Sequence, residues 1–329
     1  MKAVVIREHG SFDVLRIEER PLPDPAPDEV RVRVKAAGLN HLDTWVRRGV
    51  EGFRFPLPIV PGCDGAGIVD EVGSSVRNVQ KGDEVVLGSG VGRPLDRDYG
   101  ILGETRDGTC AQYIVVPREN VLPRPARLTW EESACFGLAY LTAWAMLVRR
   151  AQIQPGEWVL VHAAGSGIGV ASIQIARLFS CRVIATASTP EKRDLAKALG
   201  ADEVLPYEGF AKECRRITGK VGLDVVVDHV GPATWEGSVA ALRKGGRLVT
   251  CGGTSGHEIT FDVRHLFFKS LSFLGNTMGT PEELRTVAGH METGRLKPVV
   301  DRVFPLEKIA DAHRRLAERA VFGKVVVTL

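Results

Sequence analysis

The sequence predicts an α/β protein with two domains: a β-rich, barrel-like domain, and a doubly wound parallel sheet with helices on both faces. Three observations carry this expectation. At 329 residues the chain is longer than a single core usually organises. Its first 120 or so residues hold short Val-rich runs broken by Gly and Pro, with no α/β rhythm. From about residue 128 onward, apolar runs alternate with segments of helix-like composition, the pattern of βαβ units.

Taken in order, residues 29–34 alternate between polar and Val with period two, the mark of a half-buried strand. Stretches 21–27, 56–67, 82–83 and 88–94 are turn material, and 88–104 reads as a short loop. Thr129 followed by Glu131 and Glu132 has the form of a helix start, with a hydroxyl cap and acids in the first turn. Strands are expected at 158–162, 182–186, 203–205, 224–228 and 247–251, with helices at 168–179, 190–199, 209–218 and 233–244 between them. A sixth strand at 271–274 would complete the parallel sheet. The tail from about 280 carries two more helical stretches and a strand at 324–328. These limits place one domain at 1–125 with 276–329, and the other at 126–275.

Composition narrows the function classes. A net charge of +3 without a long basic run gives no nucleic-acid footprint. No stretch approaches the roughly 18 apolar residues of a membrane span, and the N-terminal residues do not resemble a secretory leader. Six scattered cysteines without a C-x-x-C pair read as reduced thiols, so a cytoplasmic location is expected.

The most informative segment runs from Val159 to Val170. An apolar strand enters a turn of small residues, Gly165, Ser166, Gly167, Ile168 and Gly169, and passes directly into a helix. Small residues let the backbone approach a pyrophosphate, and the helix N-terminus offers it free N–H groups. The strict G-x-G-x-x-G spacing is not met, because Ala164 and Ser166 stand where glycines would fall. The strand before and helix after nevertheless favour a dinucleotide site over a plain tight turn. About 20 residues on, an NAD site requires an acid for the ribose hydroxyls. Here the second strand ends Thr186, Ala187, Ser188, Thr189, with Lys192 and Arg193 following. The missing acid, with a hydroxyl and two cations in its neighbourhood, points to NADP(H); the two cations also fit a solvated first helical turn. His229, Cys251 and Gly252 follow the fourth and fifth strands and are expected beside the cofactor at the carboxyl edge of the sheet.

With these residues in view, the chain resembles the medium-chain dehydrogenase/reductase superfamily over its whole length. The resemblance rests on residues 37–43, 61–69, 141–144, 162–169, 199–202 and 321–325. It is nearest to zinc-type alcohol dehydrogenases and quinone oxidoreductases, and it implies a GroES-like β domain, a Rossmann domain and a C-terminal return to the first. It also implies a homodimer, with the edge strand near 271–274 as a candidate contact. Zinc-dependent members take the catalytic metal with Cys, His and Cys; the matching positions here are Asn40, Cys63 and Leu138. One thiol without a second strong ligand does not meet the three protein ligands that Zn²⁺ requires. The four-cysteine structural lobe is missing as well, so no metal is expected.

The resemblance also suggests roles. Asn40, at a former ligand position, would hydrogen-bond a substrate carbonyl oxygen or simply form a turn. Asp43 would orient water, substrate or the nicotinamide ribose, or act as a helix-start acid. Thr142 would lie near the nicotinamide or satisfy its own helix backbone. Asn276 and Thr277 would border the nicotinamide, and Lys324 would reach the 2′-phosphate. Cys63 reads as a small buried residue. Without a Lewis acid, conjugated acceptors are favoured, since the enolate or phenolate formed needs only hydrogen-bond donors. The expected function is NADPH-dependent hydride transfer to a quinone or α,β-unsaturated carbonyl in the cleft between the domains. The alternatives are an alcohol or aldehyde dehydrogenase with an atypical metal site, and a non-catalytic NADPH-binding protein.

Overall fold

In the computed structural model, which describes residues 1–329, the chain starts with a hairpin of β1 (Lys2–Val5) and β2 (Arg16–Glu19). There follow β3 (Glu29–Leu39), α1 (His41–Arg48), β4 (Asp64–Val72), β5 (Glu84–Leu87), β6 (Gly90–Val91), β7 (Gly100–Ile101), β8 (Tyr113–Pro117), β9 (Val121–Pro123), α2 (Trp130–Ser133) and α3 (Ala139–Trp144). The expected loop at 88–104 contains the small β6–β7 hairpin.

Strand β3 organises this region. It pairs antiparallel with β4 and β8, and its register slips between Val34 and Ala36. Such an irregularity redirects the side chains beyond it. Before the slip Val30, Val32 and Val34 enter one core with Val69, Val85, Leu87, Ile114 and Val116. After it Ala37 and Leu39 enter a second core with Val4, Ile6, Ile59 and Val325. At its end β3 lies tightly against the short helix α2: a Cβ on Gly38 would come within 1.9 Å of the Ala134 carbonyl oxygen, so only glycine fits.

After a π-helical turn over Ala145–Arg150 the chain builds β10 (Trp158–Val161), α4 (Gly167–Leu178), β11 (Arg182–Thr186), α5 (Pro190–Ala198), β12 (Glu203–Leu205), α6 (Phe210–Ile217), β13 (Leu223–Val227), α7 (Pro232–Ala241), β14 (Leu242–Thr250), α8 (Val263–Phe268) and β15 (Ser272–Gly275). The six strands form one parallel sheet in the order β12-β11-β10-β13-β14-β15. Strands β10 and β13 lie at its centre, and the wholly apolar run Val225–Val227 is fully buried, as a sheet covered on both faces requires. Strand β14 starts five residues before the expected 247, and α8 was not expected.

The chain ends in α9 (Pro281–Glu292), β16 (Val300–Pro305), α10 (Ile309–Ala317) and β17 (Lys324–Thr328). Strand β17 pairs antiparallel with β3 and parallel with β16, extending the seven-stranded sheet of the first region. Two units result: Met1–Leu141 with Gly279–Leu329, and Thr142–Met278. The division falls later than the expected 125/126 and 275/276, because α2 packs against β3 and β4 rather than against the parallel sheet. No helix is long and apolar enough to cross a membrane.

Candidate active site

Strand pairing in the first unit brings three distant residues together. Gly38 lies opposite Asp64, and Leu39 lies opposite Val325, so the end of β3 is flanked by the first residues of β4 and β17. Asn40, Asp64 and Lys324 therefore meet. The Lys324 ammonium donates to Asp64 Oδ2 at 2.8 Å and to Asn40 Oδ1, and Asn40 Nδ2 donates to Asp64 Oδ2 at 3.0 Å and to the Gly38 carbonyl at 3.3 Å. The other carboxylate oxygen of Asp64 accepts from Ser89 Oγ at 2.9 Å and from the Leu138 backbone N–H at 2.6 Å. Asp64 is fully buried, Lys324 is 4% exposed and Asn40 7%.

Two expectations are corrected here. Lys324 does not reach toward a 2′-phosphate: its buried ammonium is committed to Asp64 and Asn40 within the first unit. The Asn40 amide likewise has both donor directions and its acceptor occupied by Asp64, Gly38 and Lys324, so it has no free N–H for a substrate carbonyl.

Asp43 is the helix-start acid of the two readings. Its Oδ2 accepts from the Asn40 N–H at 2.7 Å, closing a capping box on α1, and its Oδ1 accepts from the Gly62 N–H at 2.8 Å. Burial pushes its carboxyl up to about 6, against the lowering effect of these two backbone bonds and of Lys324. The Cys63 thiol, 3.8 Å from Asp43 Oδ1, is raised well above the ordinary range by burial and by the two nearby carboxylates. It is a protonated thiol, not a thiolate ligand.

In the second unit the turn after β10 has the backbone that a pyrophosphate site requires. Ala163 takes φ +48°, and Ser166 caps α4 by accepting the Gly169 N–H at 2.9 Å. A Cβ on Gly169 would lie 2.2 Å from the Ala163 carbonyl oxygen, so glycine is what lets α4 start so close to the turn. His229, after β13, contacts Ser166 Oγ through Nε2 at 2.9 Å. Cys251 and Gly252 follow β14, and Asn276 follows β15 with its N–H on the Thr250 carbonyl at 2.9 Å. Gly165 through Gly169, Ser188, His229, Cys251, Gly252 and Asn276 thus all lie at the carboxyl ends of neighbouring strands. Thr277 is exposed and Met278 buried; Thr142 Oγ1 donates to Met278 Sδ at 3.5 Å, and Asn276 Nδ2 to the Met278 carbonyl at 2.9 Å. Ser188 is exposed after β11, while Lys192 and Arg193 are half-buried in the first turn of α5, which Thr189 caps.

Sequence reasoning missed a buried relay under this edge. Ser238 Oγ donates to Asp228 Oδ2 at 2.7 Å and lies 2.9 Å from His162 Nε2, while His162 Nδ1 lies 2.8 Å from Thr186 Oγ1. With the serine hydrogen on the carboxylate, Nε2 carries the imidazole proton and Nδ1 accepts from Thr186. Burial lowers the His162 pKa and holds the ring neutral, against the pull of Asp228. The relay joins the ends of β10, β11 and β13, the three strands that carry the turn, Ser188 and His229. An isolated His before a small-residue turn gave no sign of it.

Comparison with known proteins follows the same division. Residues 26–126 match the alcohol dehydrogenase GroES-like domain and residues 167–293 the zinc-binding dehydrogenase family. The chain is 31% identical to the quinone oxidoreductase of Sus scrofa over 339 residues, covering 100% of this chain and 98% of that one. The chain belongs to the medium-chain dehydrogenase/reductase superfamily. A solved structure described as an NAD-dependent alcohol dehydrogenase is 48% identical, with a TM-score of 0.97 and 100% of both chains covered. The crotonyl-CoA carboxylase/reductase of Cereibacter sphaeroides is 32% identical over 361 residues, covering 95% of this chain and 83% of that one.

As a medium-chain dehydrogenase/reductase the protein is an oxidoreductase that uses a nicotinamide cofactor, and the glycine-dependent turn at Ala163–Gly169 fits the phosphates of such a group. The zinc of the family's metal-dependent members does not fit. Asn40, Cys63 and Leu138 supply an engaged amide, a protonated thiol and an aliphatic chain, and no three His, Cys, Asp or Glu side chains form a donor group.

Proposed function

We propose that this oxidoreductase transfers hydride from NADPH to a quinone or an α,β-unsaturated carbonyl without a metal ion. The observation that carries the reading is the donor set at the positions that match metal ligands in zinc-dependent relatives: an Asn40 amide engaged by Asp64 and Lys324, a protonated Cys63 thiol and the aliphatic Leu138. No Lewis acid is then at hand to polarise a simple carbonyl. Conjugated acceptors spread the arriving charge over an enolate or phenolate, and hydrogen-bond donors suffice for it. The names of two relatives, a quinone oxidoreductase and a crotonyl-CoA reductase, describe acceptors of this kind.

When bound, NADPH supplies the hydride from C4 of its nicotinamide. Residues 165–169 would hold its pyrophosphate on the N-terminus of α4, with Ser166 positioned by His229. Ser188, Lys192 and Arg193 would meet the 2′-phosphate at a strand end that lacks the acid an NAD site uses. Thr142, Asn276 and Thr277 would border the nicotinamide. Asn40 and Asp43 act in this reading by positioning the end of β3 and the start of α1. The reading includes a homodimer formed through β15, one of the two edge strands of the six-stranded sheet, which follows α8 with its exposed Val263, Phe267 and Phe268.

The deciding experiment follows NADPH oxidation by EDTA-treated protein with 1,4-benzoquinone and with a simple enone, and runs NADH in parallel. Turnover that survives chelation and prefers NADPH is the expected result. Activity lost on chelation and restored by Zn²⁺ would overturn the metal-free reading. A second reading, NAD-dependent alcohol oxidation, is favoured by the 48% identical structure of that description; ethanol oxidation with NAD⁺ would establish it. NADPH binding with no turnover on any acceptor would instead leave a non-catalytic binding protein.

A further inference from the structure

We propose that Asp228 is a positioning residue for the cofactor's pyrophosphate: its buried carboxylate shapes the turn 229–231 so that His229 holds Ser166 at the start of α4. The inference rests on the reading that residues 165–169 take the pyrophosphate, and it concerns the second unit alone. Asp228 follows β13 directly and is fully buried. Its Oδ1 accepts from the N–H groups of Val230 and Gly231, each at 3.0 Å. The Thr234 hydroxyl lies 2.9 Å from Oδ1 and 2.8 Å from Oδ2, and Ser238 Oγ donates to Oδ2 at 2.7 Å.

All of these donors are uncharged, and the imidazole of His162, 3.9 Å away, is held neutral by burial. A buried charge without a counter-ion is costly, and an apolar side chain would cap the end of β13 more cheaply. What the carboxylate holds in exchange is backbone: two successive N–H groups of a turn in which Gly231 takes φ +91°. That turn carries His229. Its Nε2 lies 2.9 Å from Ser166 Oγ, the same atom that accepts the Gly169 N–H at 2.9 Å. The loop after β14 braces the turn from its other side: Ser255 donates to the Val230 carbonyl through Oγ at 2.7 Å and through its N–H at 2.8 Å. The path from Asp228 to the helix start is therefore continuous: carboxylate, turn, imidazole, hydroxyl. A helix N-terminus set in place before the anion arrives binds it without a further ordering cost.

The test measures binding rather than turnover, with NADPH, with 2′-phospho-ADP-ribose, which keeps the pyrophosphate, and with 2′-AMP, which lacks it. D228A is expected to weaken the first two at least about tenfold and to leave 2′-AMP within about twofold of wild type. D228N keeps an acceptor oxygen for Val230 and Gly231, and its Nδ2 meets hydroxyl oxygens able to accept. It is expected to stay within about threefold of wild type for all three ligands. Because Asp228 acts through His229, D228A/H229A should bind NADPH no more weakly than the weaker single variant. Equal weakening of all three ligands in D228A, losses that multiply in the double variant, or D228N as weak as D228A would each overturn the proposal.

A further arm needs no variant to fold. A ligand that requires the turn suppresses its opening, so hydrogen exchange at the Val230 and Gly231 amides of wild type should slow with 2′-phospho-ADP-ribose and not with 2′-AMP. Exchange that both ligands leave unchanged would also overturn the proposal. Wild type that binds 2′-phospho-ADP-ribose no better than 2′-AMP would instead remove the pyrophosphate reading itself, and this inference with it.

Discussion

Lys324 and Asp64 stand 260 residues apart in sequence and 2.8 Å apart in the fold, one 4% exposed and the other completely buried. Breaking a buried pair from one side leaves the other charge unpaired, a cost of about 3–5 kcal/mol. K324M is therefore expected to lower the urea midpoint of the first unit strongly. D64N/K324M should recover much of that loss, and equal destabilisation in the single and double variants would contradict the coupling.

Asp43 predicts a specific pH dependence. Its folded-state pKa, about 6, lies above the ordinary carboxylate value because burial disfavours the charge. The folded protein thus holds this proton more firmly than the unfolded chain. The stabilisation is complete below about pH 4 and is lost as pH rises through 6, roughly 2–3 kcal/mol for a shift of this size. Chemical denaturation between pH 4 and 8 should show wild-type stability falling relative to D43N, which has no carboxyl to titrate. Parallel profiles would rule the raised pKa out.

Gly169 predicts a steric defect confined to the second unit. In G169A the new methyl would meet the Ala163 carbonyl oxygen at 2.2 Å, so the start of α4 must shift. NADPH affinity, followed by nicotinamide fluorescence, is expected to fall about tenfold or more, about 1.4 kcal/mol. Unchanged affinity would mean that this turn does not hold the phosphates.

Ser188 tests the cofactor preference. It is exposed directly after β11, where S188D would introduce an acid able to accept from ribose hydroxyls and repel a 2′-phosphate. The ratio of kcat/KM for NADPH to that for NADH is expected to drop at least about tenfold, about 1.4 kcal/mol in relative transition-state binding. A ratio that does not move would place the 2′-phosphate elsewhere.

Phe267 and Phe268 are 58% and 69% exposed in α8, the helix that leads into the edge strand β15. If β15 pairs with a second copy, F267D/F268D should shift sedimentation from dimer toward monomer while circular dichroism stays unchanged. A wild-type monomer at micromolar concentration would remove the dimer reading.

The parallel-sheet unit was legible because its signals are local. Its central strands hold contiguous apolar runs, and two of the connecting helices bring a hydroxyl cap, Thr189 before Pro190 and Ser166 before Gly167. Strand β16 escaped notice because its burial is patchy, with Arg302 and Val303 exposed. The site of the first unit was legible only in part. Asn40 and Asp43 could be marked from their neighbours, but what they bond could not, since the partners of Asn40 arrive from residues 64 and 324. The resemblance alone suggested a phosphate for Lys324, and nothing near it in the chain announces its buried carboxylate partner, which is 260 residues away. The domain boundary moved because the attachment of α2 is a tertiary contact at Gly38.

The double allegiance of β3 has a consequence for biosynthesis. Because Ala37 and Leu39 are covered by residues of β17, the first unit cannot complete its second core until residues 324–328 have left the ribosome. The whole of the second unit, residues 142–278, is made before then and has its own sheet. The region translated first is therefore finished last, and until β17 arrives the nascent chain carries an unpaired edge on β3, the state in which a chaperone would find it.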